Sequence, residues 1–492
     1  MKKVWSLCLL LVFLACSKDD QDDTNINLVD KSDSETSLNL ELSDFIWKGL
    51  NQYYYWQKDV PKLDDALSLD RNEYAQFIKD NPEPEAFFES LLFSGDRFSW
   101  IVDDYIELQN SFQGIVASNG MEFSLFRIEE GSNDLIGWVK FIHKGSDAEE
   151  KEVERGDLFT QVNGQQITVD NYRDLLFSDL LTYTISLTDY NNGQYNLNGE
   201  NIELVKEENF QKDPIVAQSV IVAEDSRIGY LMYNQFASSF DEQLNEVFAS
   251  FRNEAIDELV LDLRYNRGGS IRSCTYLASL ITGQFSNEIF AQEIWNDKLM
   301  DYFRQNDEER LYNRFTNQIS GGNALNSLQL NRVYILTTDE SASASELLIN
   351  GLKPYIQVVQ IGETTVGKNV GSITVYDYID NEGTKNPNHL YAMQPIVLAI
   401  ANSEGFADYS QGLSPDITLS EDRKNAGVLG DENETLFAAA IREIVGTGKG
   451  RSYYVSPFGP KIQDPEMQAE QRLIIDSKKL PKRINVPSEN QP

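Results

Sequence analysis

The sequence predicts a multidomain α/β (α+β) protein, and three patterns carry that reading. An aromatic-rich helical pattern comes first, short alternating apolar runs with Gly turns fill residues 105–205, and from about residue 215 strand-like runs alternate with helical stripes. At 492 residues and 41% apolar composition the chain can build roughly three domains with large cores. Its 78 Asp and Glu against 42 Lys and Arg, a net charge of −36, therefore describe a solvated surface rather than a chain unable to fold. The same excess argues against nucleic acid as a partner, because phosphate binding needs clustered cations. Two His argue against a His-rich metal centre or a His-based triad, and His143, in an apolar run, and His389, in a Pro/Asn loop, read as structural or surface residues.

The first segment reads as an address. Met1-Lys2-Lys3 and the apolar residues 4–15 form a secretory signal too short to span a bilayer as a stable helix. The run ends Phe13-Leu14-Ala15-Cys16 and turns at once to Ser17-Lys18-Asp19-Asp20, which resembles a bacterial lipoprotein signal whose Cys becomes the acylated first residue. Residues 1–15 are then a signal peptide, Cys16 a lipid anchor supplying the only membrane attachment, and residues 16–37 an acidic tether at the bacterial cell envelope. An ordinary secretory cut nearby is the alternative. With Cys8 removed and Cys16 acylated, Cys274 remains as a lone thiol, so stability must come from the core.

Residues 38–103 follow as a helical domain, with Phe45-Ile46-Trp47 and Tyr53-Tyr54-Tyr55-Trp56 in helical patterns and Asn81-Pro82-Glu83-Pro84 as a break. Residues 104–205 form the β-rich module and residues 206–446 a layered α/β core. In that core, residues 228–233, 258–263, 333–337 and 358–361 read as strands and residues 271–281 and 344–352 as helices, while Leu244, Val247, Phe248 and Phe251 form a helical stripe. Residues 447–492, rich in Pro, Lys and Gln, read as an extended tail.

Two segments look chemical. Residues 362–368 satisfy G-x-x-x-x-G-K, but Asn369 stands where a hydroxyl should meet magnesium, and the alternating residues 373–378 predict a strand where a phosphate loop needs a helix. The second is Ser341-Ala342-Ser343-Ala344-Ser345-Glu346 at a strand-to-helix turn. A serine there can be reactive, because the first-turn N–H groups of a helix face a developing oxyanion. Ser343 and Glu346 also make a capping box, which by itself needs no catalysis.

Taken with Gly367-Lys368 and the upstream Asp262-Leu263-Arg264-Tyr265-Asn266-Arg267-Gly268-Gly269, the Ser343-Ala344-Ser345-Glu346 turn resembles the C-terminal-processing (tail-specific) serine peptidases. That resemblance implies a ClpP/crotonase-like core with an inserted PDZ domain, Ser343 as nucleophile and Lys368 as general base. It also implies an oxyanion hole from the N–H groups of Ala344 and Gly269, with Gly268 as the alternative to the latter. A Lys can accept the Ser proton where burial lowers its pKa from about 10.4. The family commonly has a Gln four residues after the Lys; here that position is Ser372, a shorter hydroxyl that can orient the amine. Residues 145–165 resemble the second half of the PDZ domain, and Gly120, Met121 and Phe123 fall where its first half would bind a peptide carboxylate and add the peptide as a strand. Asp96-Arg97-Phe98-Ser99 resembles the segment leading into that domain, and Gly412-Leu413-Ser414-Pro415-Asp416-Ile417 a late core motif. The expected activity is hydrolysis of polypeptides entered from unstructured C-terminal ends, without cofactor or metal. A catalytically silent peptide- or ligand-binding relative is the alternative.

Overall fold

A computed structural model describes residues 34–191, 193–380, 382–447 and 456–462. The signal, Cys16 and the tether up to residue 33 lie outside those residues.

Six strands organise the core side by side: Ile215–Ala223, Ser226–Tyr233, Glu258–Asp262, Arg332–Thr337, Gln357–Gly362 and Ile417–Thr418. The first two form an antiparallel hairpin and every later pairing is parallel. Parallel strands are covered on both faces, which is why they read as unbroken apolar runs. Successive side chains split between the faces: Leu231, Tyr233, Leu259, Leu261, Val333 and Ile335 enter one hydrophobic cluster, and Tyr230, Met232, Val260, Tyr334 and Leu336 the other. Helices Asp241–Asn253, Ile271–Thr282 and Ala344–Leu352 bury their apolar stripes in the first cluster. Beyond them lies an antiparallel sheet ordered Tyr312–Arg314, Ile289–Trp295, Ile396–Asn402, Val370–Ser372. Helix Thr435–Ile444 covers the second face, with the Tyr230 and Phe437 rings 4.6 Å apart.

Two boundaries move. The first helix spans Ser34–Tyr53 and so begins inside the stretch expected to be tether. The helical domain packs directly on the core: Phe45, Ile46, Leu50 and Phe88 share the core's main cluster and Trp100–Val102 pairs with Ala392–Gln394. Its aromatic stripe needs a partner surface, and the core provides it.

The β-rich module is built on strands Met121–Arg127, Leu135–Ile142, Leu158–Val162, Thr182–Asn191 and Gln194–Val205, in that order, closed by the short helix Tyr172–Leu176 over a cluster of its own. It extends past residue 205, because Glu207–Gln211 pairs with Ile115–Ser118. Met121–Arg127 is its edge strand. The described part of the tail, residues 456–462, lies against that edge. Both His are structural: His143 is buried against Phe141 and Phe210, and His389 lies 3.2 Å from Asp377.

Candidate active site

Strand Arg332–Thr337 feeds the turn that starts helix Ala344–Leu352, and its three serines have different fates. Ser341 Oγ donates to Leu263 O (2.8 Å) and Ser345 Oγ to Asn266 O (2.9 Å), so both hydroxyls tie this turn to the 262–269 segment. Ser343 Oγ has no hydrogen-bond partner among the described residues and is buried. Its backbone sits at φ +62, ψ −110, a conformation that costs a non-Gly residue about 1–3 kcal/mol. Ser343 and Glu346 occupy the two positions of a capping box, yet only the Glu346 half is bonded: its carboxylate accepts the Ser343 N–H at 2.8 Å. The hydroxyl left over by the cap is the one expected to react.

Glu346 does more than cap. The oxygen that takes the Ser343 N–H also takes the Lys368 N–H (2.8 Å), while the other takes the Gly367 N–H (2.7 Å) and the Thr365 hydroxyl. One buried carboxylate thus joins the serine turn to the lysine turn. Burial raises its pKa above the ordinary carboxylate value, and these four hydrogen bonds oppose the rise. The Gly367 and Lys368 N–H groups that a phosphate would need are spent here, and the loop continues into strand Val370–Ser372 rather than a helix, so the nucleotide pattern is a coincidence of spacing.

Lys368 is buried, with its ammonium 5.4 Å from the centre of the Phe98 ring. Phe98 belongs to the Asp96-Arg97-Phe98-Ser99 segment, which wraps the lysine turn. Asp96 accepts the Phe98 and Ser99 N–H groups, and the Arg97 guanidinium donates to Gly367 O (3.2 Å) and Ser410 O (3.1 Å). From the other side Leu413 N–H donates to Thr365 Oγ1 (2.8 Å), so the late core motif also braces this turn. Ser372 is fully buried four residues on, in the strand that follows.

The glycine pair meets the serine from the 262–269 turn. A Cβ at Gly268 would stand 2.7 Å from Ser343 Cβ and 3.0 Å from Ala344 N, so only glycine allows this approach. Gly268 N–H donates to Asn266 Oδ1 (2.8 Å), and Gly268 O accepts the Phe236 N–H (2.9 Å). A trans peptide sends N–H opposite to C=O, so the Gly269 N–H points away from Phe236. Ala344 opens its helix, where an N–H has no intrahelical acceptor. Of the two glycines, Gly269 is therefore the one whose N–H is not already spent in the turn.

The Arg of the same motif is structural. Arg264 is fully buried and pairs with Asp262 (2.7 Å), Glu434 (2.7 Å) and Glu421 (3.0 Å). Cys274 lies in the core with its thiol on Ala344 O (3.2 Å), and burial pushes that thiol well above its ordinary pKa.

Gly120, Met121 and Phe123 lie apart from this cluster, in the β-rich module. The Gly120 N–H donates to Ser118 Oγ (3.0 Å) and the Met121 N–H to Asn119 Oδ1 (3.1 Å), so this loop spends on itself the groups expected to hold a peptide carboxylate. Phe123 packs on Phe159 and Phe177. Sequence reasoning missed two contributors: Glu346, visible only as a cap, and Phe98, quoted in a motif but not assigned to the lysine.

Residues 227–418 match the family model for Peptidase family S41, and residues 41–100 match that for the Peptidase S41 N-terminal domain. A "Probable CtpA-like serine protease" of Staphylococcus epidermidis is 23% identical over 394 residues, which is 78% of this chain and 66% of that protein. A protein of the same description from Staphylococcus aureus is 22% identical over 406 residues, 81% of this chain and 67% of that one. The chain thus spans about two thirds of the length of these curated relatives. Among solved structures, one described as "Putative S41 protease from Bacteroides fragilis" is 25% identical, with a TM-score of 0.62, and covers 82% of this chain and 97% of its own.

Proposed function

The chain belongs to peptidase family S41, and on that premise we propose that it is a serine endopeptidase of the C-terminal-processing type, acting through a Ser343/Lys368 dyad. The observation that carries the reading is the single Glu346 carboxylate joining the strained Ser343 turn, with its unbonded hydroxyl, to the Lys368 turn. The Ser343 Oγ attacks the scissile carbonyl while its proton passes to the neutral Lys368 amine. The N–H groups of Ala344 and Gly269 receive the developing oxyanion. Collapse of the tetrahedral adduct expels the amine product, which takes the proton from Lys368 and leaves an acyl-enzyme. Water then gives a proton to Lys368, attacks the ester, and the returning proton frees Ser343. Ser372 serves as an orienting hydroxyl for the amine. The β-rich module is a PDZ-like domain that engages extended polypeptides, and Cys16 anchors the mature protein to the bacterial envelope.

The test compares the native chain with Ser343→Ala and Lys368→Ala on denatured casein and on an unstructured peptide. Cleavage by the native chain alone is expected. Equal turnover by all three overturns the dyad, and cleavage by none across a peptide panel leaves the silent-binder reading. Acyl chains on Cys16 in mass spectra of the mature N-terminus test the anchor, and an unmodified start elsewhere removes it.

A further inference from the structure

The edge strand Met121–Arg127 is already paired on its outer side by the chain's own tail. Residues 456–462 run antiparallel to it, with the Arg127 N–H on Pro460 O, the Gly459 N–H on Arg127 O and the Ile462 N–H on Leu125 O, each at 2.9 Å. Phe458 stacks 4.9 Å from Phe126 and 6.3 Å from Tyr195, whose hydroxyl donates to Pro457 O (2.8 Å). Ile462 packs on the module's hydrophobic cluster. This is strand addition, with backbone hydrogen bonds supplying affinity and side-chain pockets supplying selection.

Lys461 gives the arrangement a second end. Its ammonium binds Glu340, three residues before Ser343, and lies 3.4 Å from Asp339. Glu340 is buried and also receives Arg267 (2.6 Å), the neighbour of Gly268, with Lys140 at 3.4 Å and the Ser124 hydroxyl at 3.2 Å. Burial alone would raise the Glu340 carboxyl; Lys140, Lys461 and Arg267 instead hold it well below the usual carboxylate range. One of the three cations that balance this carboxylate is thus supplied by the tail. A cavity of about 610 Å³ lies between module and core, lined by Phe123, Phe177 and Arg267 together with Lys461 and Ile462.

We infer that the Met121–Arg127 edge is a peptide-docking surface which residues 456–462 occupy in competition with an extended polypeptide, and that it selects an aromatic side chain followed three residues later by a cation. The aromatic fills the Phe126–Tyr195 stack and the cation answers Glu340. The peptidase reading supplies the competitor's source, a substrate chain; the competition itself needs no catalysis.

The test uses the full chain carrying Ser343→Ala, so that cleavage plays no part, and a fluorescent peptide with the sequence of residues 456–462. Gly459→Val unseats the tail, because a Cβ there would stand 2.7 Å from the Glu129 carbonyl carbon and 3.0 Å from Arg127 O. Lys461→Glu does so without a backbone clash, by setting a carboxylate against Glu340. Both variants are expected to bind the peptide at least ten-fold more tightly than the parent, and replacing the peptide's Phe by Ala or its Lys by Glu should reverse the gain. Equal binding to parent and variants, or binding indifferent to those two peptide positions, overturns the inference. Casein cleavage by the native chain is scored separately, and its absence refutes the peptidase reading while leaving the competition result standing.

Discussion

Glu346→Gln separates the scaffold of the site from its chemistry, because the amide keeps the shape and exchanges one acceptor oxygen for a donor. If the amide oxygen keeps the Ser343 and Lys368 N–H groups, the NH2 faces the Gly367 N–H, donor against donor, and the Thr365 hydroxyl loses its acceptor. Hydrogen bonds to a charged group contribute roughly 1.5–3 kcal/mol each, so two lost bonds set a ceiling of about 3–6 kcal/mol. The neutral amide escapes the burial penalty that raises the carboxyl's pKa, which brings the expected loss to about 2–4 kcal/mol. A shift of about 1 Å between the two turns costs on the order of 100-fold in rate. Urea unfolding at neutral pH should therefore show the 2–4 kcal/mol loss, and peptide cleavage about a 100-fold lower kcat with KM within a few-fold. A variant within about 0.5 kcal/mol of the parent and within about threefold in kcat refutes the view that this carboxylate aligns the dyad.

Three further outcomes are expected. Gly268→Ala places a Cβ 2.7 Å from Ser343 Cβ at φ +116, so kcat/KM should fall about 100-fold with a small change in Tm; activity within about threefold of the parent counts against the close approach. Arg264→Met leaves Asp262, Glu421 and Glu434 buried without their shared cation, a loss of about 3–5 kcal/mol that should appear as insoluble or protease-sensitive protein; a soluble variant with the parent's Tm rejects the structural role of this residue. Burial pushes Asp241 up to about 6, so the native fold binds that proton more tightly than the unfolded chain does. Its contribution to stability is full below about pH 4 and is lost as pH rises through 6, and two pKa units correspond to about 3 kcal/mol. Relative to Asp241→Asn, the parent should lose up to that amount in urea unfolding between pH 4 and pH 7, and parallel curves contradict the assignment.

Elements with strong periodicity were legible before any coordinates. The helix expected over residues 344–352 is Ala344–Leu352, and the core strands expected near 228, 258, 333 and 358 fall within one or two residues of those observed. Three motifs singled out Ser343, Lys368 and the glycine pair, and Glu346 ties the turns of the first two together. What stayed hidden depends on contacts between distant parts of the chain. That Ser341 and Ser345 spend their hydroxyls on Leu263 O and Asn266 O, leaving Ser343 unbonded, cannot be read from Ser-Ala-Ser-Ala-Ser alone. Glu346 is a local cap by spacing, but its bonds to Gly367 and Lys368 require the chain to return. The boundaries at 37 and 205 moved for the same reason: polar residues near a domain edge look like linker until a packed surface recruits them. At the loop expected to hold a peptide carboxylate, the Gly120 and Met121 N–H groups are bonded to Ser118 and Asn119, a pairing that spacing does not announce.

The ion-pair knot around Arg264 also bears on timing. Its guanidinium sits in the segment that delivers Gly268 and Gly269, but two of its three carboxylates, Glu421 and Glu434, come far later in the chain than Ser343 and Lys368, and Glu434 is also the cap of helix Thr435–Ile444. A chain that ends before residue 421 holds Ser343, Lys368 and the glycine pair, yet of the three carboxylates it keeps only Asp262 beside Arg264. On the peptidase reading, the segment that carries the glycine pair is therefore held in full only once residues 421–434 have folded onto it.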